Sequence, residues 1–407
     1  MRKGMLVAGL AVLVMVTGAV GANFNLTGQG ARAMGMGGAF IGIADDATAI
    51  SWNPAGLAQL DRPELSLVGK FANQSSGFDP TSFSINGTQR TTTTSSNSHF
   101  VLNFASGAYP LKVKERNLSL ALAYQQQLDF FDIPDSNTTV TGGANTISPG
   151  VAYQITPQFA LGAAANIWTG STNTEIKTST QTITVKEPYS GLNFFVGGWG
   201  HVKPVKLGAI IRTPLTITHH NDITGIPGTT RDPVSGDWKL KMPFMFGFGA
   251  AVEPTQNVTF AADFDMRPYS SAEFLDSAGV KDTSFHLKSI TQIRVGGEYL
   301  LMLGAGIVPL RVGFRTDPRT FTGYNVKADT SGTIISTKFV SDDKQVGGTV
   351  FSFGTGFVTK QFQLDGAFEL GSSKTPYNYD QMWSASPNPL HWKESSKTFL
   401  VSGIVHF

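Results

Sequence analysis

The stretch Val258-Thr259-Phe260-Ala261-Ala262-Asp263-Phe264-Asp265-Met266-Arg267 decides how this chain is read. Every second residue from Val258 to Met266 is apolar, and the opposite parity ends in Asp263, Asp265 and Arg267. A period of two belongs to a β-strand, whose successive side chains point to opposite faces. The same alternation recurs outward from this segment. Leu65, Leu67, Gly69 and Phe71 share one parity, as do Leu118, Leu120, Leu122 and Tyr124. So do Phe159, Leu161, Ala163, Ala165 and Ile167, then Leu310, Val312 and Phe314. Phe362, Leu364, Gly366, Phe368 and Leu370 follow, and the chain ends on Phe399, Val401, Gly403, Val405 and Phe407.

Fourteen such segments begin near residues 64, 98, 116, 144, 158, 188, 204, 239, 256, 286, 306, 345, 361 and 394. Short joins such as 112–115, 156–157, 203–204, 254–255, 302–304 and 359–360 alternate with long polar joins over 73–97, 128–143, 170–187, 219–238, 269–285, 317–344 and 373–393. Short turns on one side and long loops on the other, with an even strand count, are the pattern of an outer-membrane barrel. A β-sandwich has strands of about 5–6 residues, whereas these have the length that crosses a bilayer at a tilt. The expected fold is all-β, a 14-stranded antiparallel transmembrane β-barrel over residues 63–407.

The apolar parity then faces lipid. The other parity of strands nine to thirteen carries Asp263, Asp265, Arg267, Arg294, Glu298, Arg311, Arg315, Asp365 and Glu369. An Arg facing the bilayer midplane costs about 2–4 kcal/mol, so this register places the charges in the lumen. There they pair with one another, with a plug, or with the carboxylate of a ligand, plug anchoring being the commoner use.

Composition follows from this architecture. Of 407 residues only 15% are charged, 45 are Gly, 29 are Phe and none is Cys. Absence of Cys excludes disulfides, thiolate metal sites and a cysteine nucleophile. Residues 1–22 read as a signal peptide, with Arg2 and Lys3 before an apolar run over Met5–Val16 and small residues at Gly18, Ala19, Gly21 and Ala22. The segment carries two cations and no acid, so the formal charge of +2 becomes zero in the mature chain. A general nucleic-acid binder needs a strongly basic balance, which this chain lacks.

Residues 23–62 do not alternate. Small residues from Gly28 to Phe40 lead into Ala44-Asp45-Asp46-Ala47, then Trp52-Asn53-Pro54-Ala55-Gly56-Leu57. Asp45 or Asp46 suits a helix cap, and Asn53-Pro54 is a turn or helix-start signal. This predicts a compact insert of short helices, and a fourteen-stranded barrel is wide enough to hold it as a lumen plug.

Gly30-Ala31-Arg32-Ala33-Met34-Gly35-Met36-Gly37-Gly38-Ala39-Phe40, with Ala44–Ala47 and Asn53-Pro54-Ala55, resembles the N-terminal hatch of the long-chain fatty acid and toluene transporter family, FadL/TodX. The resemblance implies a hatch-gated barrel that passes hydrophobic small molecules, fatty acids or aromatic and aliphatic hydrocarbons, across the bacterial outer membrane. It assigns Asn53, Pro54 and Ala55, with Arg32, Asp45 and Asp46, to the hatch. It sets Phe24 near the mature start at a hydrophobic ligand pocket, and implies a kinked third strand that opens the wall sideways. Family members that handle fatty acids carry helical insertions in the third and fourth outer loops. Here 170–187 is rich in Thr and Ser and has no helical apolar period. The terminal Phe407 resembles the signal read by the barrel-assembly machinery. Membrane lipid and a hydrophobic ligand are the other partners expected, with a monomer, no cofactor, no metal and no catalytic residue. The ligand is expected to leave after the hatch rearranges.

Other signals point less far. A lone Asn-Pro-Ala without spanning helices is not an aquaporin pair. Gly28-x-Gly30-x-x-Ala33 lacks the strand–helix–strand setting of a dinucleotide fingerprint. His219-His220-Asn221-Asp222 and Asp342-Asp343 are expected in solvated loops. A general porin for polar solutes is the alternative function, and an enzyme at the barrel rim is a third.

Overall fold

The computed structural model describes residues 26–407 apart from 27, 80, 86–87, 92, 131–137, 178–181, 225–233, 284–286, 321–322, 329–333, 341–344 and 380–390. Residues 1–22, read above as a signal peptide, Phe24 and Asp342-Asp343 lie outside the described residues.

Fourteen barrel strands follow one another in chain order. They are β1 Glu64–Asp79, β2 Ser95–Val113, β3 Arg116–Asp129, β4 Thr138–Thr156, β5 Phe159–Lys177 and β6 Thr182–Val202. Next come β7, in two parts Val205–Arg212 and Leu215–Thr224, and β8, in two parts Val234–Met242 and Met245–Thr255. β9 Val258–Arg267, β10 Ile290–Leu303, β11 Gly306–Thr316, β12 Gly348–Val358, β13 Phe362–Tyr379 and β14 His391–His406 complete the wall. Each pairs antiparallel with its neighbour, and β1 closes on β14 from Glu64 opposite His406 to Asp79 opposite His391. Closure pairs the first strand with the last, so no strand is left unpaired along its whole length, as a bilayer requires.

The register separates the two faces as the alternation demands. Leu67 is 60% exposed and Phe260 56%, facing lipid, whereas Asp263, Asp265 and Arg267 between the β9 apolar positions are buried. The short joins are tight turns, for example Lys114-Glu115, which both take positive φ. The long joins differ from the expected loops. β1 and β2 stay paired to Ser76 opposite Ser95, and β5 and β6 to Lys177 opposite Thr182. Polar strands keep their ladder beyond the bilayer because their hydrogen bonds do not depend on an apolar face. The third and fourth outer connections are thus extended hairpins where they are described.

Among the described residues, four irregularities interrupt the wall away from the short turns. β2 bulges at Asn103 and β3 at Gln127. β7 breaks at Thr213-Pro214 and β8 at Pro243-Phe244, where proline supplies no ladder donor. An odd offset in a strand moves the following residues to the other face. Below the breaks Leu207, Ile211 and Phe248 face lipid; above them Leu215, Ile217, Leu240 and Met242 are buried in the lumen.

The N-terminal segment fills the lower lumen with α1 Ala31–Gly35, α2 Ala49–Trp52 and a 3-10 turn over Pro54–Gln59. Asn53 caps that turn by accepting from Ala55 N, with Pro54 at its first position. Asp46 Oδ1 accepts from Thr48 N at 2.8 Å just ahead of α2.

Candidate functional site

The lumen has two storeys. The lower one is the hatch against the wall. Its backbone approaches so closely that only glycine fits at several wall positions: a Cβ on Gly197 of β6 would strike the Asn53 side chain, and one on Gly313 of β11 would strike Gly37 N. Part of the glycine excess is therefore wall glycine aimed inward.

Wall polar groups take up the hatch's backbone groups. Asp263 Oδ2 accepts from Phe40 N at 2.8 Å and Ile41 N at 3.0 Å. Glu64 Oε2 accepts from Ala47 N at 2.8 Å, and Trp199 Nε1 donates to Gly42 O at 2.9 Å. Asn53 Nδ2 donates to Ile41 O and to Gly198 O, each at 3.0 Å, joining hatch to hatch and hatch to wall.

The nine lumen charges fall into three groups. Arg294 and Arg267 both reach Asp265 at 3.1 Å, and Arg294 lies 3.9 Å from Asp263. Arg267 also donates to Leu26 O at 2.8 Å. Arg311 bridges Glu298 and Asp365, each at 2.6 Å. Arg315 pairs with Glu369. The hatch joins the second group: Arg32 lies 3.4 Å from Glu298, 2.5 Å from Asp45 and 3.7 Å from Asp46. Burial alone would lower the Arg32 pKa, but the carboxylates of Asp45, Glu298 and Asp46 outweigh it and hold the guanidinium charged. The wall acids thus contact hatch backbone and the hatch arginine directly.

Replacing Asn53 by Ala removes both donated bonds and the acceptor for Ala55 N, and takes from the buried Ile41 carbonyl its Asn53 donor, a cost of about 1–3 kcal/mol. The expected result is a hatch that unseats more often, read as bursts of ion current in planar bilayers. Steady wild-type current would show that Asn53 does not hold the hatch.

The upper storey is apolar. Leu26 at the hatch's start belongs to one buried apolar cluster with Leu128 and Phe130 of the β3 end, Trp168 of β5, Leu215 and Ile217 of β7, Leu240, Met242 and Met245 of β8, and Tyr269, Leu287 and Ile290 beyond β9. Above them stands an aromatic cluster. Trp238 and Phe274 stack at 5.4 Å, His219 lies 6.0 Å from Phe274, and Tyr189 lies 5.6 Å from Phe130. His219 is 5% exposed, so it is not the solvated loop residue expected from sequence. The break at Thr213-Pro214 turns it into the lumen behind Leu215 and Ile217. The apolar zone escapes a reading based on parity for the same reason. Its visible signal is two prolines, Pro214 and Pro243, inside otherwise alternating strands.

The wall also has a seam. β2 and β3 pair from Val113 opposite Arg116 to Phe104 opposite Gln125 and no further. Beyond that rung β2 continues on β1, and β3 continues on β4 to Asp129 opposite Gly143. The seam begins where both strands bulge, beside Leu128 and Phe130 of the apolar zone.

Comparisons with known proteins agree with this geometry. A crystal structure of a Pseudomonas aeruginosa FadL homologue superposes with a TM-score of 0.65 at 12% identity, covering 93% of this chain and 98% of that one. The Pseudomonas putida toluene transporter TodX gives 0.62 at 15%, covering 95% and 100%. The CymD monoaromatic hydrocarbon channel gives 0.61 at 15%, covering 94% and 99%. No curated protein matches the chain in sequence. A family model described as outer membrane protein transport protein, OMPP1/FadL/TodX, matches residues 10–268. With its hatch, its fourteen closed strands and this match over more than half its length, the chain belongs to the OMPP1/FadL/TodX family of outer-membrane transport proteins.

Proposed function

We propose that this outer-membrane protein is a diffusion channel for hydrophobic small molecules. The observation that carries the reading is the apolar upper lumen, lined by β3, β5, β7, β8 and the connection from β9 to β10, directly above a hatch that fills the space below. A ligand entering from the loop side exchanges water for Leu, Met and aromatic side chains, gaining about 25 cal/mol per Å² of apolar surface removed from water. The gradient supplies the rest, so no cofactor is needed. Hydrocarbons suit the zone, since solved neighbours include toluene and monoaromatic hydrocarbon channels. Long-chain fatty acids are the other candidate class. We read the seam between β2 and β3 as the exit, leading from the apolar zone sideways into the membrane past a hatch that stays seated or shifts slightly.

A general porin needs an open aqueous path, which the close hatch–wall contacts oppose. Transport rather than catalysis is the role that family membership supports. One chain closes the barrel, which favours a monomer in contact with lipid, and Phe407 at the end of β14 suits recognition by the barrel-assembly machinery.

The test is uptake of radiolabelled palmitate and naphthalene, with maltose as polar control, by cells with and without the gene. Selective uptake of either hydrophobic compound supports the channel; equal dependence of maltose on the gene favours the porin. Phe24→Ala is expected to weaken binding of the transported compound to the purified barrel severalfold while leaving its folded gel mobility intact. Unchanged binding would remove Phe24 from the pocket.

A further inference from the structure

The seam lacks ladder hydrogen bonds, yet ionisable side chains converge across it. Lys70 of β1 and His99 of β2 both face the lumen, and both reach one oxygen of Asp129 on β3: Lys70 Nζ at 2.9 Å and His99 Nε2 at 2.7 Å from Asp129 Oδ2. All three side chains are largely withdrawn from water, at 20%, 11% and 13% exposure. Asp129 sits between Leu128 and Phe130, two buried members of the apolar zone. The hatch holds the same strand end from inside, since Gln29 Nε2 donates to Gln126 O at 3.1 Å. That carbonyl lies one residue past the last β2–β3 rung.

We infer that Lys70, His99 and Asp129 form the latch of the seam, a charged cross-link that sets how far the β3 end stands from β2. The inference rests on the lateral-exit reading above. A partly buried, charge-assisted bond is strong enough to hold a strand end where no ladder does, and weak enough to open for a passing ligand. The β3 end is the moving part: Leu128 and Phe130 on one face contact the ligand zone, and Asp129 on the other contacts the fixed wall. Gln29 adds a second hold on the same strand end from the hatch side. These are positioning residues and do not themselves recognise the ligand.

The experiment uses the full chain in cells and two independent perturbations. Asp129→Asn and Lys70→Met weaken the latch. Each is expected to raise the rate of naphthalene and palmitate uptake about fivefold, as loss of about 1 kcal/mol would give, with Asp129→Glu restoring the wild-type rate. Ion current in planar bilayers, which reports the hatch, should stay at the wild-type level. Separately, because the chain has no cysteine, Leu102→Cys and Gln127→Cys can be joined across the seam by a short bismaleimide. Cross-linking is expected to reduce uptake to that of cells lacking the protein. If cross-linking blocks uptake but both latch variants transport at or below the wild-type rate, the latch is overturned. If cross-linked protein transports normally, the lateral exit itself is wrong.

Discussion

Replacing Asp263 by Ala should detach the hatch from the wall while the barrel stays closed. One oxygen of this carboxylate accepts from two successive hatch amides, Phe40 N and Ile41 N, and its charge faces Arg294. The residue is 3% exposed, so its site is closed to bulk solvent. Alanine leaves two buried donors without their acceptor and shifts the Arg294 group towards uncompensated positive charge. Breaking a buried pair of this kind costs about 3–5 kcal/mol, comparable to the whole stability of a 40-residue insert. The wall keeps its fourteen ladders, because Asp263 contributes its side chain and not its backbone to the hatch. The expected readings are large, noisy ion currents and rapid proteolysis near residue 40 in purified protein, with folded gel mobility unchanged. Asp263→Asn keeps an acceptor and should fall between the two. Quiet currents and an intact hatch in the alanine variant would mean that the other wall contacts suffice.

Gly313→Val is expected to be at least as severe, through shape instead of charge. The new Cβ would overlap Gly37 N and the Met36 carbonyl carbon, backbone atoms that cannot rotate away. Gly37 itself stands at φ +69 and donates to Ser352 Oγ at 2.9 Å, so the hatch backbone has little freedom to retreat. Overpacking usually costs about 1–3 kcal/mol, and more where backbone blocks relaxation. The chain should either fail to reach the folded, heat-modifiable form or assemble with the hatch displaced and the lumen leaking. Val312→Ala, one residue away on the lipid face and 56% exposed, is the matched control and should behave like wild type. A Gly313→Val protein with normal assembly and low conductance would show that the hatch seats elsewhere.

The strands of β9 to β13 were legible because two requirements coincide in them. Phe260 and Phe264 must meet lipid, and Asp263 and Asp265 must not, so one parity decides both faces. The same logic reaches Glu298, Arg311, Asp365 and Glu369, which the structure buries as pairs. Their partners were beyond reach. That Arg32 joins Glu298, or that Asp263 receives hatch amides, depends on which strands the hatch lies against, and residues more than two hundred positions apart carry no local sign of it. The hatch motif was legible as a composition of small residues, yet its counterpart, the inward wall glycines, looked like ordinary strand positions.

Alternation along the chain determined by itself that this protein is a barrel, how many strands it has, and which charges face inward. Each of those follows from a period of two and from the cost of charge in hydrocarbon, both properties of a single strand. Tertiary structure alone decided where the apolar lumen lies and where the wall is unpaired. The offsets at Asn103, Gln127, Thr213-Pro214 and Pro243-Phe244 reverse the facing of everything beyond them. Leu215, Ile217 and His219 therefore line the interior although a strict alternation from Leu207 would face them outward. Whether β2 and β3 remain bonded past Phe104 and Gln125 depends on two bulges meeting across a seam, and that meeting exists only once the barrel has closed.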